Sequence, residues 1–113
     1  MRYLVIYRPE AGEEGGAPDP AHMAAMGKLV DEMTTIGSLI STEPLRPRAN
    51  GARIRHSSSG AFEVTDETQR AAGYAFLRAD SRAEAIELCK QFLAVAGDGE
   101  TELREIMEFA PPS

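Results

Sequence analysis

Two histidines are the side chains best suited to move protons near neutral pH. His22 lies in the first turn of a predicted helix, one turn before Met26 and two before Leu29, so it borders the apolar stripe of that helix. A helix N-terminus disfavours a positive imidazolium, which favours a neutral ring able to accept a proton. A surface histidine near the start of the helix is the alternative interpretation.

His56 and Asp66 are further candidates. His56 shares one face of a predicted hairpin with Ile54, Phe62 and Val64, so its ring needs a hydrogen-bond partner. The alternative is a histidine at the border of the core with its hydrogen bonds satisfied. Asp66 directly follows the hairpin, where loops often carry site residues but where an Asx turn would also place an aspartate.

Arginines are concentrated in one segment that has no acid, residues 44–62. They are Arg46, Arg48, Arg53 and Arg55. Guanidinium groups bind carboxylate or phosphate through two parallel hydrogen bonds. The segment therefore predicts a small anionic or polar ligand, oriented by Arg46 and Arg55 with His56 nearby. Ion pairs with Glu43 and Glu63 are the alternative use of these charges.

The sequence predicts no metal site and no cofactor. It contains no Gly-x-Ser-x-Gly, His-Glu-x-x-His or Cys-x-x-Cys motif. The glycine-rich stretch 12–16 includes Glu13 and Glu14, which would repel a phosphate, so we interpret it as a mobile loop. Cys89 is the single cysteine and falls in an apolar helical stripe, which favours a buried, inert thiol.

Composition places the chain among small cytoplasmic proteins. Its 113 residues suit one domain, and the lone cysteine agrees with a reducing compartment. The formal charge of −6 argues against nucleic-acid binding. No apolar run approaches the roughly 18 residues of a membrane span.

The first half of the chain predicts two strands around a helix. Residues 2–7 are almost all apolar, as in a central strand buried on both faces. Asp19 as N-cap and Pro20 at the first position begin a helix over about 20–36, which Gly37 ends. Residues 38–42 have strand composition.

The second half predicts a hairpin, a strand, a helix and a last strand. Strands 52–57 and 61–65 flank a loop with a glycine, in a register that pairs Arg55 with Glu63 and His56 with Phe62. A strand over 72–78 precedes a helix that begins at a capping box of Ser81 and Glu84. Residues 101–109 form the final strand.

This order, β-α-β-hairpin-β-α-β, predicts a ferredoxin-like α+β fold with an antiparallel sheet and both helices on one face. We expect a single domain over residues 1–110 and a frayed tail at 111–113. Strands 3–7 and 72–78 are apolar on both faces, although two helices cover only one. We therefore expect an isologous homodimer through the open sheet face.

Several short segments, in this order and spacing, resemble the YCII-related proteins, in the branch named for an Asp-Gly-Pro-Phe motif. They are residues 1–7, 33–39, 43–47, 64–66, 73–74 and 83–85. The resemblance implies a dimeric α+β barrel. Of the naming motif only Asp66 is present, because the chain continues directly to Glu67-Thr68-Gln69.

The resemblance also implies site residues. In the YCII branch a histidine and an aspartate have been proposed as a catalytic pair, and residues 20–23 are similar to the segment that carries the histidine, so His22 takes that role. Asp31 and Asp66 are the candidates for the aspartate, and Asp66 is preferred because Asp31 points away from His22 on an ideal helix.

The leading hypothesis is a homodimeric small-molecule-binding protein with lyase- or isomerase-type acid–base chemistry by His22 and Asp66. Relatives of the fold include muconolactone isomerases and cofactor-free monooxygenases. The alternative is a non-enzymatic regulatory module acting with a sigma factor, because many members of the branch are encoded beside alternative sigma factors.

Overall fold

The computed structural model describes residues 1–10, 19–46, 50–66 and 70–108. The predictions for the glycine-rich loop 12–16, for Arg48 and for the tail at 111–113 lie outside these residues. The described elements are β1 (Arg2–Pro9), α1 (Pro20–Ile36), β2 (Leu39–Pro44), β3 (Arg53–His56), β4 (Phe62–Thr65), β5 (Gly73–Arg78), α2 (Arg82–Ala96) and β6 (Gly99–Glu105).

Four strands form one antiparallel sheet in the order β2-β5-β1-β6. The central strand β1 pairs on one side with β5, where Val5 faces Ala75, and on the other with β6, where Val5 faces Leu103. Each helix connects two strands that are not neighbours, so the chain makes two split β-α-β units. The predicted ferredoxin-like fold is confirmed.

Both ends of α1 follow from local side-chain chemistry. The Asp19 carboxylate accepts a hydrogen bond from the Ala21 amide at 3.3 Å, and Pro20 takes the first helical position. Gly37 closes the helix in a left-handed conformation, with φ of 93°, and its amide donates to the Met33 carbonyl. The predicted helix is confirmed. It begins and ends at these residues because the capping groups satisfy amides and carbonyls at its two ends.

The start of α2 is also confirmed, while the bounds of the edge strands differ from the prediction. The Ser81 hydroxyl accepts from the Glu84 amide at 3.1 Å, and Glu84 accepts from the Asp80 amide. β2 extends to Pro44 because its ladder with β5 continues to Gly73. β6 begins at Gly99, two residues early, because Pro9 pairs with Gly99.

The core lies between the sheet and the two helices. Its buried members are Tyr3, Val5, Met33, Leu39, Leu77, Ala79, Ala85 and Cys89. They come from the first half of β1 and of α2, from the last turn of α1, from the first residue of β2 and from the end of β5 with the residue that follows it. The protein is therefore packed most tightly at one end of the layer between helices and sheet.

The opposite face of the sheet has an apolar centre that no described helix covers. Leu4 pairs with Phe76 and Ile6 pairs with Tyr74 on the face that points away from the buried Val5. All four residues are partly exposed, and the rings of Tyr74 and Phe76 meet edge to face at 5.7 Å. We call these four residues the open face.

The hairpin of β3 and β4 has the predicted register but not the predicted environment. Arg55 pairs with Glu63 and His56 with Phe62, and Gly60 in the loop has φ of 86°. Every residue of both strands is exposed. His56 stacks on Phe62 at 4.5 Å between ring centroids, so it does not lie at the border of the core.

Two glycines allow a matched test of this packing. A Cβ on Gly99 would lie 2.6 Å from the Arg8 carbonyl oxygen, whereas a Cβ on Gly27 in α1 meets nothing within 4 Å. We expect Gly99→Ala to lower the free energy of unfolding by about 1–3 kcal/mol and Gly27→Ala to raise it by about 0.5–1 kcal/mol. Urea denaturation measures both, and equal stability of Gly99→Ala and wild type would contradict the β1–β6 register.

Candidate functional site

A cavity of about 920 Å³ lies between the helices and the sheet. Its apolar wall includes Met26, Leu29, Val30, Leu88, Phe92 and Ala96. The cavity reaches one end of this layer. Its lining there includes Pro9 and Ala96, the last residues of β1 and α2, and His22 and Gly73, which lie at the start of α1 and β5. From this end the cavity extends into the core, because five of the eight core residues also line it: Val5, Met33, Leu39, Leu77 and Cys89.

Small residues lie at both ends of this layer. At the packed end, Ala79 and Ala85 are 2% and 0% exposed. At the other end, Ala72, Gly73 and Ala96 line the cavity. Tyr7 pairs with Gly73, and its ring forms part of the cavity wall together with Phe92. The cavity is therefore bordered by short side chains and by two aromatic rings.

Four side chains contribute polar groups to the cavity lining: Tyr7, Asp19, His22 and Thr42. Thr42 Oγ1 donates to the Tyr74 carbonyl at 2.9 Å, and one Asp19 oxygen accepts from the Ala21 amide. The Tyr7 hydroxyl lies 3.4 Å from the Asp98 carbonyl, and its ring meets Phe92 edge to face at 5.2 Å. These bonds hold three of the four groups in place.

His22 is the fourth polar group and differs from the others. It is partly buried on the first turn of α1 and shares the cavity wall with Met26 and Leu29, as its spacing predicts. Within the described residues its ring forms no hydrogen bond or ion pair. The imidazole can therefore exchange a hydrogen bond or a proton with a molecule in the cavity.

The charge of the cavity does not match the predicted anionic ligand. Its described lining includes the carboxylates Asp19 and Glu43 and no lysine or arginine. Glu43 pairs with Tyr74, whose side chain belongs to the open face. Because side chains alternate along a strand, the Glu43 side chain points away from the cavity and its backbone contributes to the lining. A neutral molecule with hydroxyl or carbonyl groups fits this lining better than an anion.

The other predicted site residues lie outside the cavity. Asp66 is exposed after β4, Arg46 is exposed after β2, and Arg55 and His56 are exposed on the hairpin. Thus the structure does not bring Asp66 to the cavity wall that His22 occupies. The catalytic role of the pair and the ligand-binding roles of the arginines remain predictions.

The ion-pair alternative for the arginines is not found among the described residues. Arg55 faces Glu63 across the hairpin, yet Arg46, Arg53 and Arg55 form no salt bridge there. Among the described residues, no carboxylate lies within ion-pair distance of these three guanidinium groups.

Tyr7, Thr42 and Phe92 line the cavity but were not singled out as site residues from the sequence. Tyr7 continues the alternation of the buried Tyr3 and Val5, and Phe92 continues the helical stripe of Ala85 and Cys89. The same spacing describes core residues and cavity-lining residues, so periodicity alone does not separate them.

Known proteins were compared with the chain by sequence and by fold. No protein-family model and no curated protein matches the sequence. A solved structure does match: 5-chloro-2-hydroxyhydroquinone dehydrochlorinase, TftG, from Burkholderia phenoliruptrix AC1100 in complex with 2,5-dihydroxybenzoquinone. The identity is 11%, 96% of each chain is covered and the TM-score is 0.54.

The chain shares the fold of TftG. At 11% identity this likeness concerns the fold alone. In the described part of the chain, no helix is long and apolar enough to cross a membrane, and no three His, Cys, Asp or Glu side chains are grouped to hold a metal ion.

Cys89 lies between this cavity and a second one of about 190 Å³ formed with Thr101 and Leu103. Burial raises the pKa of the Cys89 thiol, and a hydrogen bond with the Thr101 side chain offsets part of that rise. The folded state therefore holds the proton to a higher pH than the unfolded state does. A protonated thiol is a poor nucleophile.

This shift predicts a pH dependence of stability. Because the folded state binds more protons once the unfolded thiol ionises, near pH 8.5–9, the Cys89 contribution to stability is complete below that pH and falls as the pH rises further. We expect the stability of wild type relative to Cys89→Ala to be constant from pH 6 to 8 and to decline by pH 10. Urea denaturation under reducing conditions measures it, and a constant difference up to pH 10 would contradict the shift.

Proposed function

We propose that this protein binds a small, uncharged organic molecule in the cavity and that His22 contacts it. The observation that supports the proposal is an apolar cavity of about 920 Å³ with a few fixed polar groups. Ligand sites in proteins are concave, mostly apolar and about 300–1,000 Å³ in volume, with few polar groups that set orientation. Tyr7 and Phe92 make a planar aromatic or quinonoid molecule the best-matched class.

The chemistry that we propose is acid–base catalysis without a cofactor, of lyase or isomerase type. The His22 ring would take a proton from a hydroxyl or carbon of the ligand and return it elsewhere. Of the two carboxylates in the cavity lining, Glu43 belongs to the open-face register, whereas Asp19 lies next to the first turn of α1 and has one oxygen fixed by the Ala21 amide. We therefore propose Asp19, in place of Asp66, as the carboxylate that assists His22.

TftG supports this class of ligand in a limited way. It has the same fold, and its described activity and bound molecule concern hydroxylated six-membered rings. Neutral hydroquinones and the acidic 2,5-dihydroxybenzoquinone, which is anionic at neutral pH, therefore form a discriminating pair of probes. The lining predicts that the neutral probe binds more tightly.

The first test is a thermal shift with hydroquinone and hydroxyhydroquinone. A ligand present at about 100 times its Kd stabilises the folded state by about 2.7 kcal/mol, which raises Tm by on the order of 10 °C in a domain of this size. We expect His22→Gln to weaken binding about tenfold through the loss of one hydrogen bond. Arg55→Ala and Asp31→Asn, at exposed positions outside the cavity, are matched controls with unchanged binding.

Filling the cavity gives an independent test. Ala75 lies on the cavity wall in the middle of β5. We expect Ala75→Leu to occupy part of the volume, so that the protein folds with at least wild-type Tm but loses the ligand-induced shift. An unchanged shift in Ala75→Leu and in His22→Gln would place the binding site elsewhere.

We propose further that the protein is a cytoplasmic homodimer through the open face. Leu4, Ile6, Tyr74 and Phe76 would remain in contact with water in a single chain, whereas a second copy would cover them in an isologous interface. A sigma factor or another protein on this face is the alternative, in which case the isolated chain would be a monomer.

Light scattering after size exclusion tests the assembly. We expect twice the chain mass of 12.2 kDa for wild type and a single chain mass for Phe76→Glu, which would bury a charge in the interface. Lys90→Glu on the exposed side of α2 is the control and should stay dimeric. A wild-type mass of one chain at micromolar concentration would overturn the homodimer.

A further inference from the structure

The β3–β4 hairpin exposes apolar side chains that do not line the ligand cavity. Ile54, Phe62 and Val64 share one face and are 63%, 70% and 67% exposed. No residue of either strand is buried. A two-stranded hairpin alone is marginally stable in water and needs a surface to pack on, and its own chain does not provide one in the described residues.

The charge of the hairpin region is opposite to that of the rest of the chain. Residues 44–62 carry four arginines and no acid, which leaves a formal charge of −10 on the remainder of a −6 chain. Arg53 and Arg55 lie on the hairpin strands without a salt bridge in the described part of the chain. A basic arm with an apolar face complements an acidic body that also exposes apolar surface.

The arm and the acids lie at opposite edges of the sheet. The chain leaves the sheet at β2, where the Leu45 amide donates to the Ala72 carbonyl at 2.8 Å, and β2 is one edge strand. The other edge strand, β6, carries Glu100, Glu102 and Arg104 in the register of the open face. Both glutamates are exposed, and Glu102 also forms an ion pair with Arg8 of its own chain, with 3.5 Å between Oε1 and Nη1.

We propose that the hairpin is an arm that grips a second copy of this chain, with Ile54, Phe62 and Val64 packed on the β6 edge of that copy. The inference rests on the proposed homodimer and adds to it a contact between the hairpin of each chain and the β6 edge of the other chain. Its arginines then lie near Glu100 and Glu102 of the partner subunit. By symmetry each chain gives one arm and receives one.

Charge also selects the direction of the two-fold axis. Two stacked sheets related by an axis parallel to their strands place the β2 edge of one over the β6 edge of the other. An axis perpendicular to the strands in the same plane would place β2 over β2 and keep each arm away from the β6 edge of the partner. Opposite charge favours the first arrangement, because only there does an arm lie over Glu100 and Glu102.

One partner accounts for both uncovered surfaces. A stable interface buries about 800 Å² on each protein, and a single hairpin face of three side chains is too small to supply that area alone. The open face and the arm together extend one interface, so a second copy is a better occupant than an unrelated protein that contacts the arm only.

Cross-linking tests the contact directly. In a Cys89→Ala background, one chain carries Ser58→Cys at the hairpin tip and a size-tagged second chain carries Glu100→Cys on β6. After mixing, a short bis-maleimide should link the tagged and untagged chains. Lys90→Cys on α2, in place of Glu100→Cys, is the matched control, and we expect at least about tenfold less product.

A second measurement keeps the test independent of linker geometry. Phe62→Glu should raise the dimer dissociation constant at least about tenfold, as expected for the loss of one buried aromatic side chain, while Ser59→Glu in the hairpin loop should change it little. Sedimentation equilibrium measures both, and circular dichroism verifies folding.

The outcomes separate this proposal from those it rests on. A wild-type monomer would overturn both the homodimer and the arm. A stable dimer with equal cross-linking at Glu100→Cys and Lys90→Cys, or with the same dissociation constant for Phe62→Glu and Ser59→Glu, would overturn the arm and leave the open-face dimer in place.

Discussion

Two helices on one face of a four-stranded sheet are the constraint from which the other features of this protein follow. The layer between helices and sheet buries Ala79 and Ala85 almost completely. The same layer contains a cavity whose lining includes Ala72, Gly73 and Ala96. The sheet face that no described helix covers keeps partly exposed Leu4, Ile6, Tyr74 and Phe76. The sheet therefore has a cavity that fits a ligand on its helix side and an uncovered apolar surface that fits a second chain on its other side.

The position of His22 illustrates how local chemistry determines a site. The Asp19 cap and Pro20 define where α1 begins, and the first turn of α1 lies at the loosely packed end of the layer. A histidine at the third helical position is thereby held at the cavity wall. Moving the helix start by one residue would rotate the ring by about 100° around the helix axis, away from the cavity.

Features set by neighbouring residues could be predicted from the sequence. The bounds of α1, the Ser81 cap and the hairpin register depend on hydrogen bonds within a few residues, and each is present as expected. The ferredoxin-like strand order followed from the alternation of helices and strands. Apolar residues on both faces of β1 also indicated that one face would lack a helix.

Features that depend on distant parts of the chain could not be predicted. The alternation in β3 and β4 identifies an apolar face but not the surface that this face meets, and within the chain it meets none of the described elements closely enough to bury a residue. For the same reason Asp66 and Arg55, which belong to or follow the hairpin, were grouped with His22 although the hairpin carries them away from the cavity. The cavity could not be predicted either, because an apolar helical stripe has the same spacing whether its residues pack against neighbours or border an empty volume.

The two proposals meet at residues that line the cavity and flank the hairpin in sequence. They are Pro44, Leu45, Ala72 and Gly73, and the Leu45 amide donates to the Ala72 carbonyl. The β2 and β5 backbones pair closely at this rim, since a Cβ on Gly73 would lie 3.0 Å from the Glu43 carbonyl oxygen. If gripping a second copy shifts this rim in favour of the ligand, the ligand must strengthen the grip by the same factor, because coupling between two binding events is reciprocal.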